Sequence, residues 1–116
     1  MPIHISGDTL ALDKKIRSEI ETEAHRFEQR FAGTAIDARA RITEEFDALH
    51  GHRVRCELRA DLGGGRQIVV REARKDPFEA IREAFGTARR NLRKIRRRVT
   101  LVTPPAAPSV ATVSAP

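Results

Sequence analysis

The spacing of apolar residues changes along the chain from a period of two to a period near 3.6 and back. Residues 2–6 alternate and are followed by Gly7, which predicts a short first strand. Residues 13–31 predict the first helix, because Asp13 is a suitable N-cap and Gly33 follows where a C-terminal glycine is typical. The apolar stripe of this helix repeats at steps of three and four: Ile16, Ile20, Ala24, Phe27 and Phe31.

Period two returns in the middle of the chain and predicts three further strands joined by short turns. Apolar residues occupy alternate positions in 36–42 and in 54–62, and the polar stretch 47–52 connects the two. Gly63–Gly65 predicts a tight turn, since glycine accepts the positive φ of hairpin turns. The last strand covers 67–73, where Glu72 breaks the alternation and predicts a loosened strand. These three strands are expected to form an antiparallel meander.

The second helix has the clearest start signal in the sequence. Asp76 is a capping carboxylate, Pro77 takes the first helical position, and Glu79 completes the capping pattern. The apolar stripe then comprises Phe78, Ile81, Phe85, Ala88, Leu92 and Ile95. The pattern ends at Arg98, after about 23 helical residues. The uncharged, proline-containing segment that follows predicts a disordered tail, so the expected division is a domain at 1–98 and a tail at 99–116.

The predicted order is therefore β-α-β-β-β-α. A four-stranded sheet with both helices packed on one face buries every apolar stripe, so the expected fold is an α+β sandwich. The chain has 116 residues, which suffices for one such domain. It lacks any run of roughly 18 apolar residues and any signal-peptide pattern at its start, so we expect a cytoplasmic protein that does not enter a membrane.

Signals for catalysis or cofactor binding are weak. The sequence contains none of the common nucleophile, nucleotide-binding or zinc-protease motifs, and we expect no catalytic residue and no cofactor. The start at Met1 and Pro2 is shared with tautomerases that use an N-terminal proline as base, but the later strands and the basic helix would have no role there. His50 and His52 near Cys56 are too few for a metal site, so we expect no metal.

The distribution of charge is more informative. The net charge is +6, and the segment from Gly86 to Arg98 contains seven basic residues and no acidic one. The helix dipole favours cations near a helix C-terminus, but seven basic residues without an acidic one are more than the dipole alone accounts for. With the apolar stripe buried, this half of the helix should present a continuous cationic surface that binds an anionic polymer, because guanidinium groups suit phosphate. The arginines on the sheet exterior are mixed with acids, which is typical of a solvated face.

Several motifs together resemble the ribosome hibernation promoting factor and ribosome-associated translation inhibitor family, also called sigma-54 modulation proteins. The resemblance covers residues 2–98. It is carried by Ile3-His4-Ile5-Ser6-Gly7, by Phe27-Glu28-Gln29-Arg30-Phe31, by Asp76-Pro77-Phe78-Glu79-Ala80-Ile81, and by Arg89-Arg90-Asn91-Leu92-Arg93-Lys94. Glu23 and Thr87 depart from the family pattern, where lysine is frequent, and Glu72 stands where a small residue is usual.

The resemblance implies a fold like that of double-stranded RNA-binding domains, in a short form without a dimerisation domain. It also implies a protein that occupies the mRNA and tRNA cleft of the small ribosomal subunit and inhibits translation under stress or in stationary phase, as a monomer off the ribosome. The residues expected to bind RNA are Arg17, Arg26, Arg82, Arg89, Arg90, Arg93, Lys94, Arg96 and Arg97. The alternative function is that of a free-standing double-stranded RNA-binding module.

Overall fold

The structure, a computed structural model, describes residues 2–31 and 37–102, with side chains described as far as Ile95. The predicted positions Gly33 and Ile36 lie outside this part of the chain, as do residues 103–116 of the predicted tail. The division between domain and tail therefore stays a prediction.

The described elements follow the predicted order and confirm the α+β class. A short 3-10 helix that the pattern did not predict lies at Thr9–Leu12, before the first long helix. The other elements are β1 (Ile3–Gly7), α1 (Lys14–Arg30), β2 (Asp37–Asp47), β3 (Gly51–Gly63), β4 (Arg66–Arg74) and α2 (Pro77–Val102).

The sheet has the strand order β1-β2-β3-β4 and is mixed. β1 pairs parallel to β2, with Ile3 opposite Ala38, so the chain must cross over between them, and α1 forms that crossover. β2, β3 and β4 form the predicted antiparallel meander, in which Leu58 lies opposite both Ala40 and Val70. This register places the apolar residues of the neighbouring strands on the same face of the sheet.

Both helices pack on that apolar face and enclose one core. Most positions of the predicted stripes are buried, and Phe78 and Ile95 at the two ends of the α2 stripe are half-buried. Ile20 and Ile81 are fully buried, and Phe27 contacts Phe85 edge to face, with ring centroids 6.4 Å apart. Burial of this apolar surface is the main favourable contribution to folding. Because α2 is anchored from Ile81 to Leu92, its outward side chains are presented on a fixed support.

Two predicted features differ from the structure. The prediction that β4 loosens at Glu72 is wrong: pairing continues to Arg74 opposite Val54, and the register shift lies instead between Asp61 and Gly63. Glu72 fits at its half-buried position because its carboxylate accepts a hydrogen bond from the hydroxyl of Thr87 on α2 at 2.9 Å. α2 continues to Val102, four residues past Arg98. No proline interrupts the sequence in this stretch, so nothing in the local chemistry requires an earlier end.

The hairpin between β2 and β3 is longer than predicted and extends past both neighbouring strands. β1 ends opposite Ile42, and β4 ends opposite Val54, so residues 44–53 form a two-stranded arm. Asp47 shapes its tip, because its carboxylate accepts hydrogen bonds from the backbone N–H groups of Leu49 and His50. These hydrogen bonds lower the pKa of the Asp47 carboxyl. The arm lies past the core, so its apolar residues do not follow the alternation that marks a half-buried strand.

Cys56 lies in the centre of β3 and is completely buried. Burial raises the pKa of its thiol to about 12, because the thiolate would lose its hydration inside the core. The thiol is therefore protonated at neutral pH and unreactive while the protein is folded. Within the described residues, no three acidic, histidine or cysteine side chains are arranged to hold a metal ion. No helix in that part of the chain is long and apolar enough to cross a membrane.

Candidate nucleic-acid interface

The basic face of the molecule depends on how α2 starts and which side it buries. The carboxylate of Asp76 accepts a hydrogen bond from the backbone N–H of Phe78 at 2.9 Å, as the capping pattern predicts. From this start, helical spacing directs Phe85 and Leu92 into the core. Arg90 and Arg93 are then on the exposed side of the helix.

An open groove of about 760 Å³ lies between α1 and α2. Its lining contains four arginines and a single carboxylate, and comprises Glu23, Arg26, Gln29, Arg30, Arg82 and Arg89. Three of these arginines belong to the set predicted to bind RNA. The structure thus brings Arg26 of α1 together with Arg82 and Arg89 of α2, which are far away in the sequence. Four guanidinium groups against one carboxylate give the groove a positive lining that suits phosphate.

Glu23 organises this groove. It is 4% exposed, and its carboxylate accepts a hydrogen bond from Arg26 at 3.0 Å and one from Arg89 at 3.4 Å. Arg82 is held by Glu19 of α1 at 3.1 Å. Of these three arginines, only Arg89 lies in the segment from Gly86 to Arg98 that was predicted to present a continuous cationic surface, and its ion pair with Glu23 interrupts that surface. All three are ion-paired to α1, which orients them toward the groove and reduces the net charge that they present.

Three cations on the outer side of α2 have no carboxylate partner among the described residues. Arg90 donates a hydrogen bond to the hydroxyl of Thr87 at 2.9 Å, and Arg93 and Lys94 are exposed. We call Arg90, Arg93 and Lys94 the outer cluster. All three side chains face solvent, and they lie within about one helical turn of each other. Surfaces of this kind attract the closely spaced phosphates of nucleic acid.

The remaining predicted RNA-binding residues have different surroundings. Arg17 is partly buried, and its guanidinium donates a hydrogen bond to the backbone carbonyl of Ala11 at 2.8 Å. That contact closes the 3-10 helix onto α1, so the structure gives Arg17 a structural contact that the sequence did not predict. The side chains of Arg96 and Arg97 lie outside the described part of the chain.

Arg30 lines the groove but was absent from the predicted set. It stands four residues after Arg26 on α1, so the two side chains share one face of the helix. That spacing is visible in the sequence and could have identified Arg30. The role of Glu23 could not have been found in this way, because it depends on α2 crossing α1 at this point.

Replacing Glu23 with glutamine should weaken the contact between the two helices. The variant Glu23→Gln keeps the side-chain volume but removes the charge that accepts hydrogen bonds from Arg26 and Arg89. We expect the free energy of unfolding to fall by about 1–2 kcal/mol, toward the low end because Arg26 is largely exposed. Urea denaturation measures this change. Glu21→Gln, at an exposed position of α1, is the matched control and should stay within about 0.5 kcal/mol of wild type. Equal losses in both variants would contradict the role assigned to Glu23.

Comparison with solved structures defines the class of fold. The chain is similar to a ribosomal subunit interface protein from Coxiella burnetii, with a TM-score of 0.69 and 15% identity over 84% of this chain and 99% of that one. It is also similar to the N-terminal domain of Protein Y from Thermus thermophilus, with a TM-score of 0.65 and 24% identity over 82% of this chain and 99% of that one. At these identities the likeness establishes the fold.

The sequence itself establishes the family. Residues 3–100 match the model of the family described as Sigma 54 modulation protein / S30EA ribosomal protein. The match spans most of the chain, so this protein belongs to that family, and the resemblance identified from its motifs is confirmed. Among curated proteins, none matches the sequence significantly.

Proposed function

We propose that this protein binds the small ribosomal subunit through its helical face and inhibits translation by occupying the cleft for mRNA and tRNA. The observation that carries the proposal is the outer cluster, three cations without a carboxylate partner on a helix braced by the core, beside an arginine-lined groove. Membership of a family described as ribosomal protein supports it, as does the likeness to a subunit interface protein. In this proposal the protein acts without catalysis, in the cytoplasm, under stress or in stationary phase.

The chemistry of the helical face fits recognition of an RNA backbone better than recognition of bases. All five aromatic residues are phenylalanines, and Phe27, Phe31 and Phe85 are buried, so the helical face offers few rings on which bases could stack. Arginine and lysine side chains bind phosphate oxygens without reading sequence. A folded ribosomal RNA surface, in which many phosphates converge on a cleft, supplies such a partner.

Binding to purified small subunits at increasing salt tests the proposal. We expect the protein to co-sediment with small subunits, and the logarithm of the association constant to fall linearly with the logarithm of salt concentration, by about 0.7–0.9 per phosphate contact. A plain RNA duplex is the comparison ligand. Binding the duplex as tightly as the subunit would support the alternative, a free-standing double-stranded RNA-binding module. Failure to bind either ligand would contradict both.

A matched functional assay completes the test. Addition of the protein to a cell-free translation reaction should lower the yield of a reporter, in proportion to the fraction of small subunits occupied. Adding excess small subunits should restore the yield, because they titrate the inhibitor. An unchanged yield at saturating occupancy would show that the protein binds the subunit without blocking the cleft.

A further inference from the structure

The face of the sheet opposite the helices carries a second group of cations. Arg39 of β2 lies directly opposite Arg59 of β3, and Arg41 follows two residues along β2 on the same face. Directly opposed residues on antiparallel strands have Cβ atoms about 5 Å apart, so the two guanidinium groups repel each other. None of the three arginines has an ion pair or a hydrogen bond among the described residues. We call Arg39, Arg41 and Arg59 the sheet triad.

The acids on this face lie near the triad but form no ion pair with it among the described residues. Glu57, which lies opposite Arg41, pairs with Arg71 of β4 at 2.6 Å. Asp37 contacts the imidazole of His4 at 3.1 Å. The carboxylate of Asp61 accepts a hydrogen bond from the backbone N–H of Gly63 at 2.8 Å. Glu57 and Asp61 therefore have partners outside the triad, whereas Oδ1 of Asp37 accepts no hydrogen bond. Asp8, just after β1, interacts electrostatically with Arg41 but forms no ion pair with it.

A shallow cavity of about 170 Å³ joins the members of the triad. Its lining combines the three guanidinium groups with one hydroxyl and one carboxylate, from Ser6, Arg39, Arg41, Glu57 and Arg59. The formal charge of the lining is +2, three positive charges against one negative. Guanidinium and hydroxyl groups donate hydrogen bonds and suit the oxygens of a phosphodiester.

We propose that the sheet triad is a second binding site for an RNA backbone, on the face opposite the helical interface. The proposal rests on the proposed function, because a protein inside an RNA-walled cleft has RNA on more than one side. A repulsive pair such as Arg39 and Arg59 destabilises the free sheet. A bound phosphate would neutralise that repulsion, so a phosphate is complementary to the opposed pair of Arg39 and Arg59.

The salt dependence of binding tests the sheet triad. The variant Arg39→Gln/Arg41→Gln/Arg59→Gln keeps side chains of similar length over the sheet and removes three charges. If each arginine contacts a phosphate, the slope of the logarithmic salt dependence for small subunits should fall by about 2 to 3. The control Lys14→Gln/Lys15→Gln/Lys75→Gln removes three exposed charges that lie outside both sites, and its slope should stay within about 0.5 of wild type. Thermal unfolding of the triad variant should occur at or above the wild-type temperature, because the opposed charges are gone.

The outcomes separate the two proposals. Wild-type binding with equal slopes for the triad variant and the lysine control would overturn the sheet site and leave the proposed function intact. Absence of wild-type binding would contradict the proposed function itself. A lower slope for the triad variant alone supports the second site.

A photo-cross-linking experiment identifies the partner on this face. The native thiol of Cys56 is buried, so a cysteine introduced by Ser6→Cys beside the triad can be labelled alone with a benzophenone maleimide. Irradiation on small subunits should then attach the protein to ribosomal RNA. Cross-links to ribosomal proteins alone would show that an acidic protein surface covers the triad, and would overturn the RNA site.

Discussion

Reversing the charge of the outer cluster should abolish binding to small ribosomal subunits. In Arg90→Glu/Arg93→Glu/Lys94→Glu, three attractive charges on α2 become three repulsive ones that face the same phosphates. We expect the association constant to fall by about 100-fold or more at moderate salt, measured by co-sedimentation through sucrose. The three side chains point away from the core, so circular dichroism should show an unchanged fold.

The control for this variant is the same charge change at another place. Lys14→Glu/Lys15→Glu/Lys75→Glu also lowers the net charge by six units, but these lysines lie outside the outer cluster and the groove. Its affinity should fall much less, because only the general attraction between a basic protein and RNA is reduced. Equal losses for the two variants would show that net charge, and not the position of the outer cluster, controls binding.

Truncating Phe85 should remove a large part of the stability of the domain. Phe85 is 1% exposed and packs against Phe27 at the point where α2 crosses α1. The variant Phe85→Ala leaves a cavity there, and we expect the free energy of unfolding to fall by about 3–5 kcal/mol in urea denaturation. A domain of this size has a total stability of only about 5–15 kcal/mol. Binding to small subunits should weaken as the support of α2 is lost.

An exposed phenylalanine on the sheet provides a matched control. Phe46 lies on the two-stranded arm and is 81% exposed. Phe46→Ala removes the same number of atoms without opening a cavity in the core, so the free energy of unfolding should change by less than about 0.5 kcal/mol. A large loss in this variant would mean that the arm packs against the domain in solution.

The order of elements and the composition of the core were predictable because each apolar stripe is local. In a helix that buries one face, apolar residues must recur about every 3.6 positions, and in a strand covered on one face they must recur at every second position. Ile20 and Ile81 on the helices, and Leu58 on β3, could therefore be identified as core residues from spacing alone. The length of the hairpin was not predictable, since residues 44–53 lie past the core and no longer need to alternate.

The positive charge of the candidate interface was predictable from the sequence, but the ion pairs that its arginines form were not. The run of cations after Gly86 contains the outer cluster, and these three residues follow from the sequence alone. Whether an arginine is free or paired depends on which element lies opposite, and this is a property of the tertiary structure. Glu23 illustrates the point: the sequence shows a departure from a family pattern, whereas the structure shows a buried carboxylate that joins Arg26 to Arg89.

The two-stranded arm has less structural support than the rest of the domain. An isolated pair of strands is only marginally stable in water, and this one lacks a third strand or a helix across residues 44–53. The ion pair of Glu45 with Arg55 at 2.7 Å joins the base of the arm to the part of β3 that pairs with β4. The arm is therefore the part of the domain with the least packing support, and we expect its backbone amides to exchange hydrogen faster than those of the two helices, which pack on the core.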